Sequence, residues 1–346
     1  MKPKIRLLFV IDNASYGGGE KVFSMLIRGL PADRFEVFCA SLPQGRFYEE
    51  IKDHCGFLPL DLTNRFDLRN IGRLKNLMLE HGIDIAHSQG ARADFYCAFA
   101  AASAGVKAVS TVAMPVEGFD VGFFRKRAYV FFNALAEKFF SGFITVSGVL
   151  KEQLAAQHGI PPSKIKFIPN PVDLAEFSPS RYDAAEARRK FGVAGKIALG
   201  ALGRLEWQKG FEHLLRAVNI IVRGENRFKE RLVCLIAGGG SLEAKLKELA
   251  SGLGLGENVV FCGQLDEAGP FLAALDIFVM PSLLEGQPLA LLEAMAMRRP
   301  IVASDIPGIS ETAARGKEAF LVRPGAAGEL AAGNLKLIDD ETFSGQ

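Results

Sequence analysis

The sequence predicts an α/β protein made of two doubly wound domains, and three observations support this prediction. Short β-branched or apolar runs alternate with helical patterns along the chain, which is typical of βα units on parallel sheets. The alternation stops once, at Pro169 to Asp173, and then begins again. Two prolines so close together break regular structure and mark a linker. A chain of 346 residues is also long enough for two hydrophobic cores.

The strands of this fold are predicted from the apolar runs, and the domains are placed at residues 1–170 and 171–346. In the first domain, strands are expected at Ile5–Ile11, Glu36–Ala40, Ile83–His87, Ala108–Val112, Phe143–Ser147 and Ile165–Pro169. In the second domain, they are expected at Ile197–Leu202, Leu232–Ala237, Val259–Cys262, Ile277–Met280 and Ile301–Ser304. Ligands of such sheets bind beyond the carboxyl ends of the strands. We therefore expect a site in a cleft that both carboxyl edges face.

Composition excludes several classes of protein. Apolar residues make up 49% of the chain and charged residues 23%, as in soluble globular proteins. The five cysteines are odd in number and lack C-x-x-C spacing, which argues against a disulfide framework or a zinc site. The apolar run Leu7–Ile11 is too short for a signal peptide, and no run approaches the ~20 apolar residues of a membrane span. These features predict a cytoplasmic protein.

Charge is unevenly distributed between the two predicted domains. Residues 1–170 carry 21 Lys and Arg against 16 Asp and Glu, a net +5, whereas the remainder carries 20 against 23, a net −3. A basic first domain suits an anionic partner, such as a membrane surface or a phosphorylated acceptor. The alternative is uneven surface charge without a partner. Nothing in the sequence resembles a nucleic-acid-binding motif.

A glycine turn follows the first predicted strand. Gly17, Gly18 and Gly19 lie between this strand and a helical pattern that starts at Lys21. Backbone N–H groups of such a turn can approach an anion at the positive end of the helix. The turn matches neither G-x-G-x-x-G nor the Walker loop. A tight turn that simply requires glycine is the alternative.

The second domain begins in the same way. Its first strand leads into Gly203, Arg204 and Lys209, and a helix is predicted over Phe211–Val222. An Arg and a Lys five residues apart can converge on one phosphate, with a planar fork of donors and a movable point charge. Two solvated surface cations are the alternative interpretation.

The most specific motif is the run Glu285-Gly286-Gln287-Pro288-Leu289 that leads to Glu293. Glu285 is predicted in the loop after a strand, and Gln287 is predicted to start the next helix, whose free N–H groups point toward the site. Two helical turns, about 12 Å, would separate the carboxylates of Glu285 and Glu293. They therefore suit two rings of one extended ligand.

These motifs together resemble the retaining GT-B glycosyltransferases of family 4, the "group 1" transferases. The matching segments are Gly17 to Glu20, Ile144 to Ser147, Ile168 to Asp173, Gly203 to Gly210, Ala237 to Gly240 and Glu285 to Glu293. The resemblance implies two Rossmann-like domains, with the acceptor on the side of 1–170 and a nucleoside diphosphate sugar on the side of 171–346. It implies a hexosyltransferase that retains anomeric configuration and needs no metal or cofactor.

The resemblance also assigns roles to residues. Gly17 to Gly19, Arg204 and Lys209 would bind the donor diphosphate, and Glu285 would bind the donor sugar. Glu293 would bind the nucleotide ribose, and N–H groups of Gly286, Gln287 and Leu289 would line the sugar and phosphate. Glu285, Arg204 and Lys209 form the expected catalytic set. The acceptor is expected to be a saccharide or lipid-linked saccharide of cell-envelope polysaccharide or lipopolysaccharide biosynthesis.

Two departures from the family pattern concern activity and length. Ala113 stands where family members commonly place a His near the reacting sugar. His87 lies at another predicted strand end and is a candidate acceptor contact, although a lone His is more often structural. Family members usually continue into helices that cross back to pack on the first domain, so this chain is interpreted as either truncated or naturally short at its C-terminus. A nucleotide-sugar epimerase and a non-catalytic nucleotide-sugar-binding protein are the alternative functions.

The stretch from Gly118 to Phe140 is rich in aromatic and basic residues. Several of its aromatic residues recur at helical spacing around Arg125 to Arg127. A helix of this kind can lie in a membrane interface. Two interpretations are therefore open: peripheral contact with the inner face of the membrane, or a helix that covers the sheet with its cations solvated.

Overall fold

The chain folds into two compact units, residues Met1–Asn170 and Pro171–Gln346. The computed structural model describes residues 3–12, 16–64, 67–114, 134–313 and 317–340. Each unit is a parallel sheet with helices on both faces. This architecture confirms the predicted α/β class with two Rossmann-like domains.

Unit 1 (Met1–Asn170) contains a sheet of seven parallel strands in the order β3-β2-β1-β4-β5-β6-β7. The strands are β1 Ile5–Ile11, β2 Phe35–Ser41, β3 Gly56–Pro59, β4 Ile85–Gln89, β5 Lys107–Val112, β6 Gly142–Thr145 and β7 Ile165–Phe167. The described helices are α1 Gly18–Gly29, α2 Gly45–Ile51, α3 Arg69–Glu80, α4 Ala91–Ala104 and α5 Gly148–His158. The strand order reverses between β1 and β4, which is the topological switch point of this sheet.

Both faces of the first sheet are buried. Leu8 and Val10 of β1 belong to the core under α3 and α4, whereas Phe9 and Ile11 belong to a second core under α1 and α2. Side chains alternate between the faces of a strand, so a strand covered on both sides must be apolar throughout. This requirement explains the continuous apolar run that predicts β1.

Unit 2 (Pro171–Gln346) contains six parallel strands in the order β10-β9-β8-β11-β12-β13. The strands are β8 Ile197–Leu202, β9 Leu232–Ala237, β10 Val259–Gly263, β11 Ile277–Met280, β12 Ile301–Ser304 and β13 Phe320–Val322. The described helices are α6 Ala184–Lys190, α7 Phe211–Gly224, α8 Glu243–Gly252, α9 Ala268–Ala274, α10 Leu289–Ala296, α11 Pro307–Ser310 and α12 Ala327–Asp339. The switch point of this sheet lies between β8 and β11.

All eleven predicted strands are present, and several ends differ. The strand predicted at Ile83–His87 is Ile85–Gln89, so His87 lies in the middle of β4 and not at its end. The strand predicted to end at Ser147 ends at Thr145, because Ser147 caps helix α5 by accepting a hydrogen bond from the Leu150 N–H (3.3 Å). The strand predicted to end at Pro169 ends at Phe167. The short strands β3 and β13 were not predicted.

Two helix starts at the predicted site also differ from the sequence prediction. Helix α1 begins at Gly18 and not at Lys21, so Gly18 and Gly19 form its first turn. Helix α10 begins at Leu289, with Pro288 as its N-cap, so Gln287 precedes the helix. Proline suits a helix start because it lacks an N–H group, which would have no partner there.

The aromatic stretch from Gly118 to Phe140 is described only at its end, because residues 115–133 lie outside the described ranges. Phe140 is buried and its ring packs against Phe143 at 5.4 Å. The Phe139 ring packs against Phe99 at 5.1 Å. Across the described residues, no helix is long and apolar enough to span a membrane.

Candidate active site

The switch point of unit 2 brings together two of the predicted site residues. Lys209 lies in a short turn after β8, and Glu285 lies in the loop between β11 and α10. The Lys209 Nζ atom is 2.6 Å from Glu285 Oε1, and the Ser282 hydroxyl donates to the same oxygen at 2.8 Å. The side chain of Glu285 is 4% exposed and that of Lys209 is 17% exposed. A buried carboxylate is therefore neutralised by an ammonium group.

Backbone contacts hold these two segments together. The Leu283 N–H donates to the Gln208 carbonyl at 2.7 Å. Gly210 has a φ of 62°, and a β-carbon at this position would lie 2.2 Å from the Pro281 carbonyl oxygen. On the other side of the loop, a β-carbon on Gly308 would lie 2.3 Å from the Glu285 carbonyl oxygen. Only glycine allows these approaches, so glycines fix the position of the Glu285 loop.

The loop after β9 also lies in close backbone contact with the turn after β8. A β-carbon on Gly238, where φ is 132°, would lie 1.9 Å from the Gly203 carbonyl oxygen. The Glu206 carboxylate accepts hydrogen bonds from the Ser241 N–H (2.9 Å) and hydroxyl (2.6 Å). Burial alone would raise the pKa of Glu206. The hydrogen bonds from Ser241 and the charge of Arg204 outweigh burial, so the pKa of Glu206 lies below the ordinary value of a glutamate.

Arg204 differs from Lys209 in its surroundings. It lies two residues beyond β8 and is exposed. Lys209 is close to the backbone of Gly203, because its Cε atom lies 3.4 Å from the position of a β-carbon there. The structure therefore places both cations in one turn at the carboxyl edge of the sheet and pairs only Lys209 with Glu285 in the described chain.

The remaining predicted donor residues lie around the start of α10. Gly286 is buried and Gln287 is partly buried, and the Gln287 Nε2 atom lies 3.4 Å from the Thr312 hydroxyl oxygen. Leu289 is the first helical residue, so its N–H group has no acceptor within the helix. Glu293 is 5% exposed in the second turn. Because Glu285 precedes the helix, the estimate of two helical turns between the carboxylates was wrong.

In unit 1, the glycine turn is the start of α1, and side chains surround it. The Glu20 carboxylate accepts from the Gly17 N–H at 2.9 Å. The Tyr16 hydroxyl donates to the carboxylate of Glu50 on α2 at 2.9 Å, and the guanidinium of Arg46 lies 4.4 Å from the Tyr16 ring centre. The first turn of α1 is therefore attached to α2 through Tyr16.

His87, the candidate acceptor contact, is a buried residue of β4. Its Nε2 atom is 2.7 Å from the Thr111 hydroxyl oxygen, and its ring packs against Phe9 and Phe23. Burial lowers its pKa to about 4. His87 is therefore neutral at pH 7 and occupies the core between the sheet and α1.

Three residues at the carboxyl edge of unit 1 were not predicted. Asp12 follows β1 directly, Gln89 ends β4, and Arg92 in the first turn of α4 pairs with Asp12. The sequence signal was available for Asp12, a polar residue that ends the apolar run Leu7–Ile11, whereas Gln89 follows the polar residues His87 and Ser88 and ends no apolar run. Their proximity depends on β1 and β4 being neighbours, which the chain order does not indicate.

Within the described ranges, no group of three or more His, Cys, Asp or Glu side chains could hold a metal ion.

Both units match models of known families. Residues 16–176 match the model described as "Glycosyltransferase Family 4", and residues 196–340 match the one described as "Glycosyl transferases group 1". The two matches cover most of the chain and follow the division into units.

Relatives and solved structures agree with these matches. The chain is 25% identical, over 99% of its length and 90% of the relative, to the UDP-Gal:alpha-D-GlcNAc-diphosphoundecaprenol alpha-1,3-galactosyltransferase of Escherichia coli. It is 34% identical to a glycosyltransferase of Methanocaldococcus jannaschii, over 58% of this chain and 51% of the relative, so it spans about half of that protein. The crystal structure of Anabaena HepE in complex with UDP-glucose matches 98% of this chain and 91% of its own, with a TM-score of 0.86 and 21% identity.

Proposed function

The chain belongs to the GT-B glycosyltransferases of family 4, and we propose that it transfers a hexosyl group from a nucleoside diphosphate sugar with retention of configuration and without a metal ion. The acceptor in this proposal is a saccharide or lipid-linked saccharide of cell-envelope polysaccharide or lipopolysaccharide biosynthesis. Support for this acceptor class comes from the Escherichia coli relative, whose name gives a sugar linked to diphosphoundecaprenol as its acceptor and UDP-Gal as its donor.

The observation on which the proposal rests is the buried Lys209–Glu285 pair at the switch point of unit 2. An ammonium group has three donors, and the pair with Glu285 uses one of them. Two donors remain for the oxygens of a diphosphate. The same pair gives Glu285 a fixed orientation, so that its second oxygen can accept from a sugar hydroxyl.

Arg204 completes this arrangement in the proposal. Its exposed guanidinium can donate two parallel hydrogen bonds to a diphosphate. As the bond from the sugar C1 to the diphosphate oxygen breaks, positive charge develops on the ring, as in glycoside cleavage, and negative charge develops on the diphosphate. Arg204 and Lys209 would stabilise that negative charge, which is the task a metal ion performs in other enzymes.

Further contacts follow from the same assignment. Glu293 would bind the nucleotide ribose, and the N–H groups of Gly286, Gln287 and Leu289 would line the sugar and phosphate. In unit 1, the N–H groups of Gly18 and Gly19 would bind phosphate at the start of α1, whereas the predicted contact through Gly17 is displaced because its N–H donates to Glu20. Ala113 follows β5 directly, and we propose that the reaction proceeds without an imidazole at this position. Peripheral membrane contact through Gly118 to Phe140 belongs to the same proposal, and so does a cytoplasmic location.

The proposal is tested by a thermal-shift screen of UDP-, GDP- and ADP-sugars on the wild type, Arg204→Ala and Glu285→Ala. We expect one donor class to raise the Tm of the wild type and to have a much smaller effect on both variants. Donor hydrolysis and transfer to an added saccharide are then measured with that donor. Binding without turnover would favour a non-catalytic nucleotide-sugar-binding protein, and a changed sugar without an acceptor would favour an epimerase. Stabilisation by no donor would contradict the proposal.

A further inference from the structure

The switch point of unit 1 contains buried polar atoms that have no partner. Gln89 is 9% exposed, and its Oε1 atom has no hydrogen-bond partner. The Oδ1 atom of Asp12 is also buried without a partner, while its Oδ2 atom is occupied by Arg92. Buried polar side-chain atoms are normally hydrogen-bonded, because an unmade bond costs the desolvation of the group. Two unpartnered acceptors at the same sheet edge require an explanation.

The two residues lie on neighbouring strands. Ile11 of β1 is opposite Gln89 in the sheet, and Asp12 is the next residue beyond Ile11. The strand spacing and rise place the Cα atoms of Asp12 and Gln89 about 6 Å apart. This is the position, outside the carboxyl ends of strands at a switch point, where ligands of open α/β sheets bind.

The Gln89 carboxamide also lies against the start of α1. A β-carbon on Gly19 would be 2.7 Å from Gln89 Nε2, so the amide nitrogen is in contact with the first turn of the helix. The N–H groups of Gly18 and Gly19 have no acceptor within the helix. Hydrogen-bond donors from the helix and from Gln89 therefore converge beside the two acceptors that lack donors.

This combination distinguishes between ligand groups. A phosphate only accepts hydrogen bonds, so it can satisfy the N–H groups but not Gln89 Oε1 or Asp12 Oδ1. A hydroxyl group accepts one bond and donates another. Adjacent hydroxyls of a sugar ring can therefore pair with both atoms of a carboxamide and donate to a neighbouring carboxylate.

We propose that Gln89 and Asp12 bind hydroxyl groups of a sugar ring and thereby determine which sugar this enzyme accepts. Arg92 is a positioning residue in this arrangement, because it holds Asp12 Oδ2 and leaves Oδ1 for the ligand. The inference rests on the proposed function, and the ring can belong either to the donor or to the acceptor saccharide.

The test uses two substitutions that keep side-chain volume and change hydrogen bonding. Gln89→Met preserves packing against Gly19 and removes both polar atoms. In Asp12→Asn, Arg92 binds the amide oxygen, so an NH₂ group replaces the free acceptor. Asp84→Asn is the matched control, because Asp84 lies at the opposite end of the same two strands, where it accepts from the Arg6 N–H at 2.8 Å. Urea unfolding shows that each variant is folded.

Two binding measurements distinguish a sugar ring of the donor from a sugar ring of the acceptor. For the donor, calorimetry compares UDP-glucose with UDP, GDP-mannose with GDP and ADP-glucose with ADP. For the acceptor, saturation-transfer NMR uses methyl α-glycosides of glucose, galactose and mannose. We expect Gln89→Met to weaken at least one sugar-bearing probe tenfold or more, Asp12→Asn to weaken it several-fold, and Asp84→Asn to bind within twofold of the wild type.

The outcomes separate this inference from the proposed function. A loss confined to the donor sugars assigns the ring to the donor, and a loss confined to the glycosides assigns it to the acceptor. If nucleotides bind but both variants bind every probe as the wild type does, the inference is wrong and the proposed function is unaffected. If no nucleotide or nucleotide sugar binds the wild type, the proposed function itself fails.

Discussion

The two switch points are built differently, although each lies at the carboxyl edge of a parallel sheet next to a glycine turn. In unit 2, backbone meets backbone: Gly210, Gly238 and Gly308 each lie where a β-carbon would overlap a carbonyl oxygen. In unit 1, side chains make the contacts. Tyr16 binds Glu50, Asp12 binds Arg92, and Gln89 lies against Gly19.

This difference indicates that the two sheet edges differ in how well they tolerate substitutions. A loop fixed by glycine contacts cannot accept a side chain without displacing the backbone of its neighbour. Contacts between side chains can be exchanged for others without moving the backbone. We therefore expect the carboxyl edge of the sheet in unit 2 to be rigid, and the same edge in unit 1 to tolerate changes of its side chains.

The largest expected effect is from Gly238→Ala. The new β-carbon would lie 1.9 Å from the Gly203 carbonyl oxygen, at a φ of 132° that side chains rarely adopt. We expect unit 2 to lose more than about 3 kcal/mol of its free energy of unfolding, measured by urea denaturation. Gly256→Ala is the control, because nothing lies within 4 Å of its β-carbon. Equal stability of the two variants would show that the backbone contact is not rigid.

The next effect concerns the buried ion pair. Lys209→Met leaves Glu285 charged in a buried position, which we expect to cost about 3 kcal/mol of the free energy of unfolding. Glu285→Gln leaves the ammonium unpaired, and Lys209 is the more exposed partner, so this variant should lose less. The double variant should lose less than the sum of the two, because neither charge is then buried alone. Additive losses would mean that the two groups do not interact.

The comparison also shows which parts of the site the sequence could predict. Glu285, Arg204 and Lys209 were predicted as site residues because glycine and proline surround them in a fixed order after a strand. The pairing of Lys209 with Glu285 was not recognised, because 76 residues separate the two. Asp12 and Arg92 are 80 residues apart, and their contact depends on β1 and β4 being neighbours.

The strands show the same limit. Strand β1 is seven residues long and its last five residues, Leu7–Ile11, are apolar on both faces, so its pattern is unambiguous. Strands β3 and β13 have four and three residues and lie at the edges of their sheets. So short a run has too few residues to show an alternation. The other two edge strands, β7 and β10, were nevertheless predicted, so neither a short length nor a position at the edge by itself prevents prediction.

A pH titration tests the side-chain contacts of unit 1. Burial raises the pKa of Asp94, which accepts from the Ser88 hydroxyl at 2.6 Å, to about 7. Between about pH 4 and 7, the folded state holds a proton that the unfolded chain has lost, so stability falls as the pH rises. Burial lowers the pKa of His87 to about 4, so between about pH 6.5 and 4 the unfolded chain gains a proton and stability falls as the pH falls.

The two slopes oppose each other between about pH 4.5 and 6.5. The stability of wild-type unit 1 should therefore change little in this window. The free energy of unfolding of Asp94→Asn should rise with pH, because only the His87 slope remains. That of His87→Gln should fall with pH, because only the Asp94 slope remains. Each slope is at most about 1.4 kcal/mol per pH unit. Urea unfolding at several pH values measures the slopes. Equal slopes in both variants would contradict the assignment.

The smallest expected effect is from Tyr16→Phe, and it bears most directly on the difference between the two edges. The variant removes the hydrogen bond to Glu50 and should cost about 1 kcal/mol. Tyr48→Phe is the control. Tyr48 lies on helix α2, as Glu50 does, and its described contacts are those of its ring, which packs against Phe57. If side chains hold the edge of unit 1, Tyr16→Phe should speed hydrogen exchange at Lys21, whose N–H donates to the Gly17 carbonyl at 3.0 Å, whereas exchange over residues 203–210 should stay unchanged. Unchanged exchange at Lys21 would mean that the start of α1 is fixed by its backbone, as in unit 2.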